Sequence, residues 1–371
     1  MPDRPEYESA AEVASKQARL RRFRFMLSFV SSGLAVLAAF LLIRFEILPP
    51  GPFGFLAPQE NAGPTAPAVE DDALILEEVG SDKTGHKYVY DELLGWRNIP
   101  NWQATTFGKT LSINSKGLRD AEHPYAKPDG VKRILVLGDS FAWGYGVADH
   151  ETFSAVLEEL LANRDAPRWE VINTGVSGWS TDQQYLFLRE EGMKYDPDIV
   201  LLAFCSANDV KGSLTARIYS LSKPLLRQGL GTPHTPGKKL EFANIPPPKP
   251  GETKQHMEFT GDSREIMAPL LGGMHELASE AGAHFMVASF GRFLNPTNPE
   301  IKQWTEETRD IVALLPNALF LDVDFEFWDR GLAEKDLVDE SIDHDGHWDA
   351  DGHKLVAEIL LEFLGQENAL D

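Results

Sequence analysis

From residue 131 onward two kinds of apolar pattern take turns along the chain. Short unbroken runs at 133–138, 169–175, 198–204, 284–289 and 318–323 read as buried strands. Segments at 151–163, 181–192, 263–281, 299–314 and 353–364 repeat their apolar residues with helical spacing and lie between or after the strands. Strand–helix alternation of this kind predicts an α/β fold, a five-stranded parallel sheet covered by helices on both faces.

The flanking regions follow other patterns. Residues 25–43 carry no charge and would span roughly 28 Å as a helix, about one hydrocarbon thickness. Lys16, Arg19, Arg21, Arg22 and Arg24 precede this stretch, so residues 1–48 are expected to form a cytoplasmic tail and a single-pass transmembrane anchor, with the remainder periplasmic or extracellular. A cleaved signal peptide is the competing reading, but its apolar region is usually shorter, about 7–15 residues. Residues 49–75 are proline-rich and read as a linker. Residues 76–130, with Trp96, Trp102 and the turn-rich "TTFGKTLSINSKGLRD", form a small β-rich module ahead of the main domain, 131–366.

One long interruption, 210–262, contains "PPPKP" and few periodic apolar residues. Insertions of this length are functional lids or solvated loops. Between 211 and 254 it holds eight Lys/Arg against two Glu, a local net of +6 on a chain of −22. The overall charge argues against nucleic acid as a partner, because phosphate binding needs a basic face. A single cysteine, Cys205 within an apolar strand, rules out an internal disulfide framework and reads as a small buried hydrophobe.

The tripeptide Gly-Asp-Ser occurs at 138–140 and again at 261–263. The first copy ends an apolar strand, and in open parallel sheets ligands bind at the carboxyl ends of strands. The second follows polar "HMEFT" and opens a helical pattern, where Asp262 or Ser263 reads as an N-cap. Ser140 is therefore the candidate nucleophile. A serine hydroxyl needs a base, an orienting acid and oxyanion donors. The base is expected in "SIDHDGHWDADGHKLVAEIL", at His347 just before a helix, with Asp345 two residues upstream. Gly178 in "INTGVSGWSTDQQ" and Asn208 in "CSAND" supply candidate donors, each after a strand.

These motifs, in this order, resemble those of the SGNH hydrolases (GDSL esterases and lipases) over 131–366. Ser140 matches the first block, Gly178 the second, Asn208 the third, and His347 with Gly352 the last. The resemblance implies a flavodoxin-like three-layer sandwich and a catalytic triad of Ser140, His347 and Asp345. It also implies an oxyanion hole made by the Ser140 and Gly178 N–H groups and the Asn208 side chain, with no cofactor and no metal. Two positions depart from the family pattern: Ser206 stands where a glycine is usual, and His344 where the acid is usual. An Asp two residues before His347, followed by Trp348, is similar to the branch acting on polysaccharide O-acetyl groups; Asp343 is the alternative acid.

The implied function is a serine esterase acting on acyl esters, with O-acetylated carbohydrate or a small ester as substrate. An O-acetyltransferase for exported polysaccharide, a lipase or lysophospholipase, and a non-catalytic carbohydrate-binding module are the alternatives. Trp143, Trp179 and Trp348 each lie close to a motif, and either pack the sheet edge or rim a substrate cleft. A calcium loop at 347–358 is disfavoured, since His347 replaces the expected Asp. A metal site from His344, His347 and His353 competes with the need for a free His347.

Overall fold

The computed structural model describes residues 88–164, 167–215, 217–218, 221–226, 237, 239–243, 263–338 and 346–370. The anchor and linker expected at 1–75 lie outside these residues. Among the described residues, no helix is long and apolar enough to cross a membrane.

Five parallel strands form the central sheet: β5 (Val131–Leu137), β6 (Arg168–Asn173), β7 (Ile199–Cys205), β12 (His284–Phe290) and β13 (Leu319–Asp322). Their spatial order is β13-β12-β7-β5-β6. In chain order this is 2-1-3-4-5 read from the β6 edge, the doubly wound flavodoxin-like arrangement, with its topological switch between β5 and β7. Along each strand, successive side chains go to opposite layers. Leu135, Leu137, Val200, Leu202, Phe204, Phe285 and Val287 enter one core. Ile134, Val136, Ile199, Leu201, Met286 and Ala288 enter the other. Most positions are apolar because both faces are covered.

Helices α3 (Thr181–Glu190), α5 (Ser263–Glu280) and α6 (Pro299–Val312) cover the first face. Helices α2 (Phe153–Ala162), α7 (Val323–Asp329) and α8 (Ala350–Gln366) cover the second. Two one-turn helices, α1 (Ser140–Trp143) and α4 (Asp209–Ser213), sit at the carboxyl ends of β5 and β7. The strands and long helices fall on the periodic segments of the sequence, with ends shifted by up to three residues. The short helices have no periodicity to announce them.

The described part of the amino-terminal module consists of two antiparallel hairpins, β1 (Tyr88–Asp91) with β2 (Gly95–Asn98) and β3 (Gln103–Thr106) with β4 (Lys109–Ser112). It shares the core of the main domain. Tyr88, Leu94, Trp96 and Leu118 join the first layer, and Leu111 and Ile113 pack with Trp143 and Tyr145.

Within the insertion, β8 (Arg217–Ile218) pairs with β9 (Leu221–Ser222), and β10 (Leu225–Leu226) pairs with β11 (Phe242–Ala243). Solvation does not account for all its positive charge. Lys223 is fully buried and ion-paired to the equally buried Asp182 of α3. Such a pair adds little net stability, but removing one partner strands the other's charge at a cost of about 3–5 kcal/mol.

Candidate active site

Strand β5 ends where the backbone must pass close to its neighbours. A Cβ on Gly138 would lie 2.5 Å from the Ala142 Cβ and 3.2 Å from that of Ala203. Asp139 then caps α1, its Oδ1 accepting the Phe141 N–H at 2.9 Å. Ser140 is the first helical residue, so its own N–H has no intrahelical acceptor. The helix stops after one turn at Gly144, whose φ of 87° is the left-handed conformation glycine tolerates.

His347 reaches Ser140 from the opposite end of the sequence. Its Nε2 lies 2.7 Å from the Ser140 Oγ. With the hydroxyl donating, Nε2 accepts and Nδ1 carries the imidazole proton. The ring is held between neighbours that fix its plane, with Phe141 and Tyr145 centroids 4.7 and 4.6 Å away. Behind it, Asp349 caps α8 by accepting the Gly352 N–H at 2.9 Å. Asp343, His344 and Asp345 lie outside the described residues.

Two further loops complete this edge of the sheet. After β6, Gly178 takes a φ of 80° and is half-buried, and among the described residues its N–H has no acceptor. After β7, Asn208 donates one amide hydrogen through Nδ2 to the Asp139 Oδ2 at 2.7 Å. A carboxamide has two such hydrogens, so its second is available to a ligand. Ser206 explains one departure from the family pattern. Its backbone N–H and its hydroxyl both donate to the Phe290 carbonyl at 2.8 Å, tying the ends of β7 and β12 together.

Burial controls the electrostatics here. It raises the Asp139 carboxyl above the ordinary range, against the lowering effects of Asn208, the Phe141 N–H and His347. Asp209 is pushed up further, first by burial and then by the charge of Asp139. It also accepts from the Cys205 N–H at 2.7 Å. Asp139 is the member of this buried pair that faces Asn208.

The remaining candidates divide plainly. Trp143, Trp179 and Trp348 are 0%, 2% and 2% exposed, so none offers a ring face to a substrate. The packing reading of these tryptophans holds and the cleft-rim reading is corrected. Each is buried because it joins a layer that the flanking elements already close. Ser263 lies in the first turn of α5, where its hydroxyl donates to Glu307. Cys205 is buried, and burial raises its thiol well above the ordinary value, which keeps it inert.

His353 does not point at a shared metal site. Its Nδ1 accepts the Phe153 N–H at 3.1 Å, and burial lowers its pKa to about 3. No metal-binding cluster occurs among the described residues.

Sequence reasoning missed Arg119, Asp139 and Tyr145 as residues of this neighbourhood. Asp139 was visible as the middle of Gly-Asp-Ser. Arg119 was visible only as a charge in "KGLRD", with nothing to name its partners.

A family model described as GDSL-like lipase/acylhydrolase matches residues 136–355. No curated protein matches the chain. Among solved structures, TesA is similar over 64% of this chain and 99% of its own, at 15% identity and a TM-score of 0.41. Axe2, an acetylxylan esterase from Geobacillus stearothermophilus, is similar over 63% and 94%, at 18% and 0.42. A two-domain esterase active on acetylated mannans is similar over 64% of this chain and 50% of its own, at 13% and 0.41. Likeness at this level says nothing of the substrate.

Proposed function

The chain belongs to the GDSL-like lipase/acylhydrolase family and is a serine ester hydrolase, and from that premise we propose that it removes small acyl groups, acetyl foremost, from carbohydrate. The observation that carries the reading is the 2.7 Å contact between the His347 Nε2 and the Ser140 Oγ at the switch point of the sheet.

In this mechanism the Ser140 Oγ attacks the ester carbonyl carbon and its proton passes to the His347 Nε2. The carbonyl oxygen becomes an oxyanion facing the N–H groups of Ser140 and Gly178 and the free amide hydrogen of Asn208. The bond to the leaving alcohol then breaks, and His347 returns the proton to that alcohol's oxygen. Water, deprotonated by His347, attacks the acyl-enzyme and releases the carboxylic acid and Ser140. Asp345 would hold the Nδ1 proton and stabilise the imidazolium.

Two features favour a small acyl group on a sugar. Ser140 is only 8% exposed, and the aromatic rings of Phe141 and Tyr145 crowd its base, so a bulky acyl chain has little room to approach. The order Asp345, His347, Trp348 is similar to that of the polysaccharide O-acetyl branch. The anchor at 25–43 would keep the catalytic unit outside the membrane, where exported polysaccharide is found.

The test is acetate release from acetylated polysaccharide, with and without an added sugar acceptor, by the wild type and Ser140→Ala. Acetate from the wild type alone supports the proposal. Acetylated acceptor in place of acetate would make the protein a transferase, and turnover confined to long-chain esters would make it a lipase. Neither turnover nor labelling by a serine-reactive phosphonate would reduce it to a binding module.

A further inference from the structure

The family match begins at residue 136, yet two loops of the candidate oxyanion hole are held from in front of it. The Arg119 guanidinium is fully buried. Its Nε donates to the Asp149 Oδ1 at 2.9 Å, Nη1 to the Trp143 carbonyl at 2.8 Å and to the Gly144 carbonyl, and Nη2 to the Val147 carbonyl at 2.6 Å. Its plane also lies over the Trp143 ring, 4.7 Å from the centroid. These acceptors are the last carbonyls of the one-turn helix that carries Ser140 and of the loop behind it. The Gly144 carbonyl also accepts the Val147 N–H at 3.3 Å. The same loop places Tyr145 against the His347 ring.

The Gly178 loop is gripped in a similar way. The Trp96 Nε1 donates to the Ser177 carbonyl at 3.2 Å, and the Trp179 Nε1 donates back to the Trp96 carbonyl at 2.9 Å. This exchange brackets Gly178 on both sides. Apolar packing reinforces the first grip, since Leu111 of β4 and Ile113 just after it pack on Trp143 and Tyr145.

We propose that the amino-terminal segment 88–119 is a clamp on the oxyanion hole, with Arg119 positioning the Ser140 N–H and Trp96 positioning the Gly178 N–H. The proposal rests on the reading of those two N–H groups as oxyanion donors. A one-turn helix has too few internal bonds to hold its first residue against the charge that develops in the reaction. Four donors from one rigid fork supply what the helix lacks. Lysine, a point charge with three donors on a flexible stem, cannot replace that fork. Misplacement by about 1 Å is enough to cost about 10²-fold in rate.

The test uses the full chain and p-nitrophenyl acetate. Arg119→Ala should lower kcat by about 10²-fold with KM within about threefold, the signature of a lost transition-state interaction. Guanidinium at millimolar, non-denaturing concentration should restore about a tenth of the wild-type rate or more by refilling the cavity, and Arg119→Lys should not recover it. Trp96→Phe keeps the ring but removes the Nε1–H, and should lower kcat about tenfold without raising KM. Where Arg119→Ala fails to fold, Trp96→Phe decides. A kcat within twofold of wild type in either folded variant, or a loss that follows the folded fraction and ignores guanidinium, overturns the clamp. Ser140→Ala on the same ester separates the two readings. If it keeps turnover, the site assignment falls. If it is inactive while the Arg119 and Trp96 variants run at wild-type rate, only the clamp falls.

Discussion

Ser140 and Ser263 share the tripeptide Gly-Asp-Ser, the first turn of a helix and the same exposure, 8%. They differ in what faces them. Ser140 ends a central strand and meets an imidazole, beside two loops that bring unpaired donors to the same edge. Ser263 opens a surface-layer helix and meets the carboxylate of Glu307. Carboxylates are as a class far weaker bases than imidazole, and a hydroxyl bonded to one does structural work. The comparison teaches that neither the tripeptide nor burial makes a nucleophile. In the proposed mechanism the strand end does, because it gathers the candidate base and oxyanion donors around one hydroxyl.

The sharpest way to break this contrast is substitution of the first serine. Ser140→Ala should abolish ester turnover, by at least about 10⁴-fold. Phosphonate labelling that persisted in this variant would move the nucleophile elsewhere. Next comes the acid behind His347. Asp345→Asn should keep the fold and lower kcat by up to about 10⁴-fold, while Asp343→Asn should cost much less. The reverse ranking would shift the orienting role to Asp343 and remove the likeness to the O-acetyl branch.

Asn208→Ala tests the donors that only the first serine has. It should lower kcat by about 10²–10³-fold with a smaller effect on KM, and an effect confined to KM would take Asn208 out of the oxyanion hole. Ser263→Ala should have the smallest effect. Its lost bond to Glu307 should cost about 1 kcal/mol in thermal or denaturant unfolding, with turnover within twofold of wild type. A large loss of turnover in that variant would erase the contrast between the two copies.

Much of this was legible in the sequence where a residue's partner is implied by pattern. The five strands stood out because burial on both faces makes them continuously apolar. Ser140, Gly178 and Asn208 stood out because each follows such a run. His347 stood out as a base amid acids before a helix. What stayed hidden depends on partners that carry no sequence identity. Arg119 binds three backbone carbonyls, and any residues could supply those. Trp143, Trp179 and Trp348 were correctly near the site, but nearness along the chain does not say which way a side chain turns. Lys223 looked like one more charge in a basic loop until Asp182 was found buried against it. The start of α8 was misjudged by three residues because its first turn, 350–352, is Ala-Asp-Gly and lacks apolar spacing.

The Ser140–His347 contact joins positions 207 residues apart. Synthesis at about 5–20 residues per second leaves roughly 10–40 s during which a growing chain has its serine but not its base. The wait outlasts residue 347 itself, because α8, which seats the histidine loop, is made after it. Until that segment has emerged, the proposed mechanism has no base. On the proposed mechanism, a product cut short before residue 347 carries the nucleophile without the base it needs.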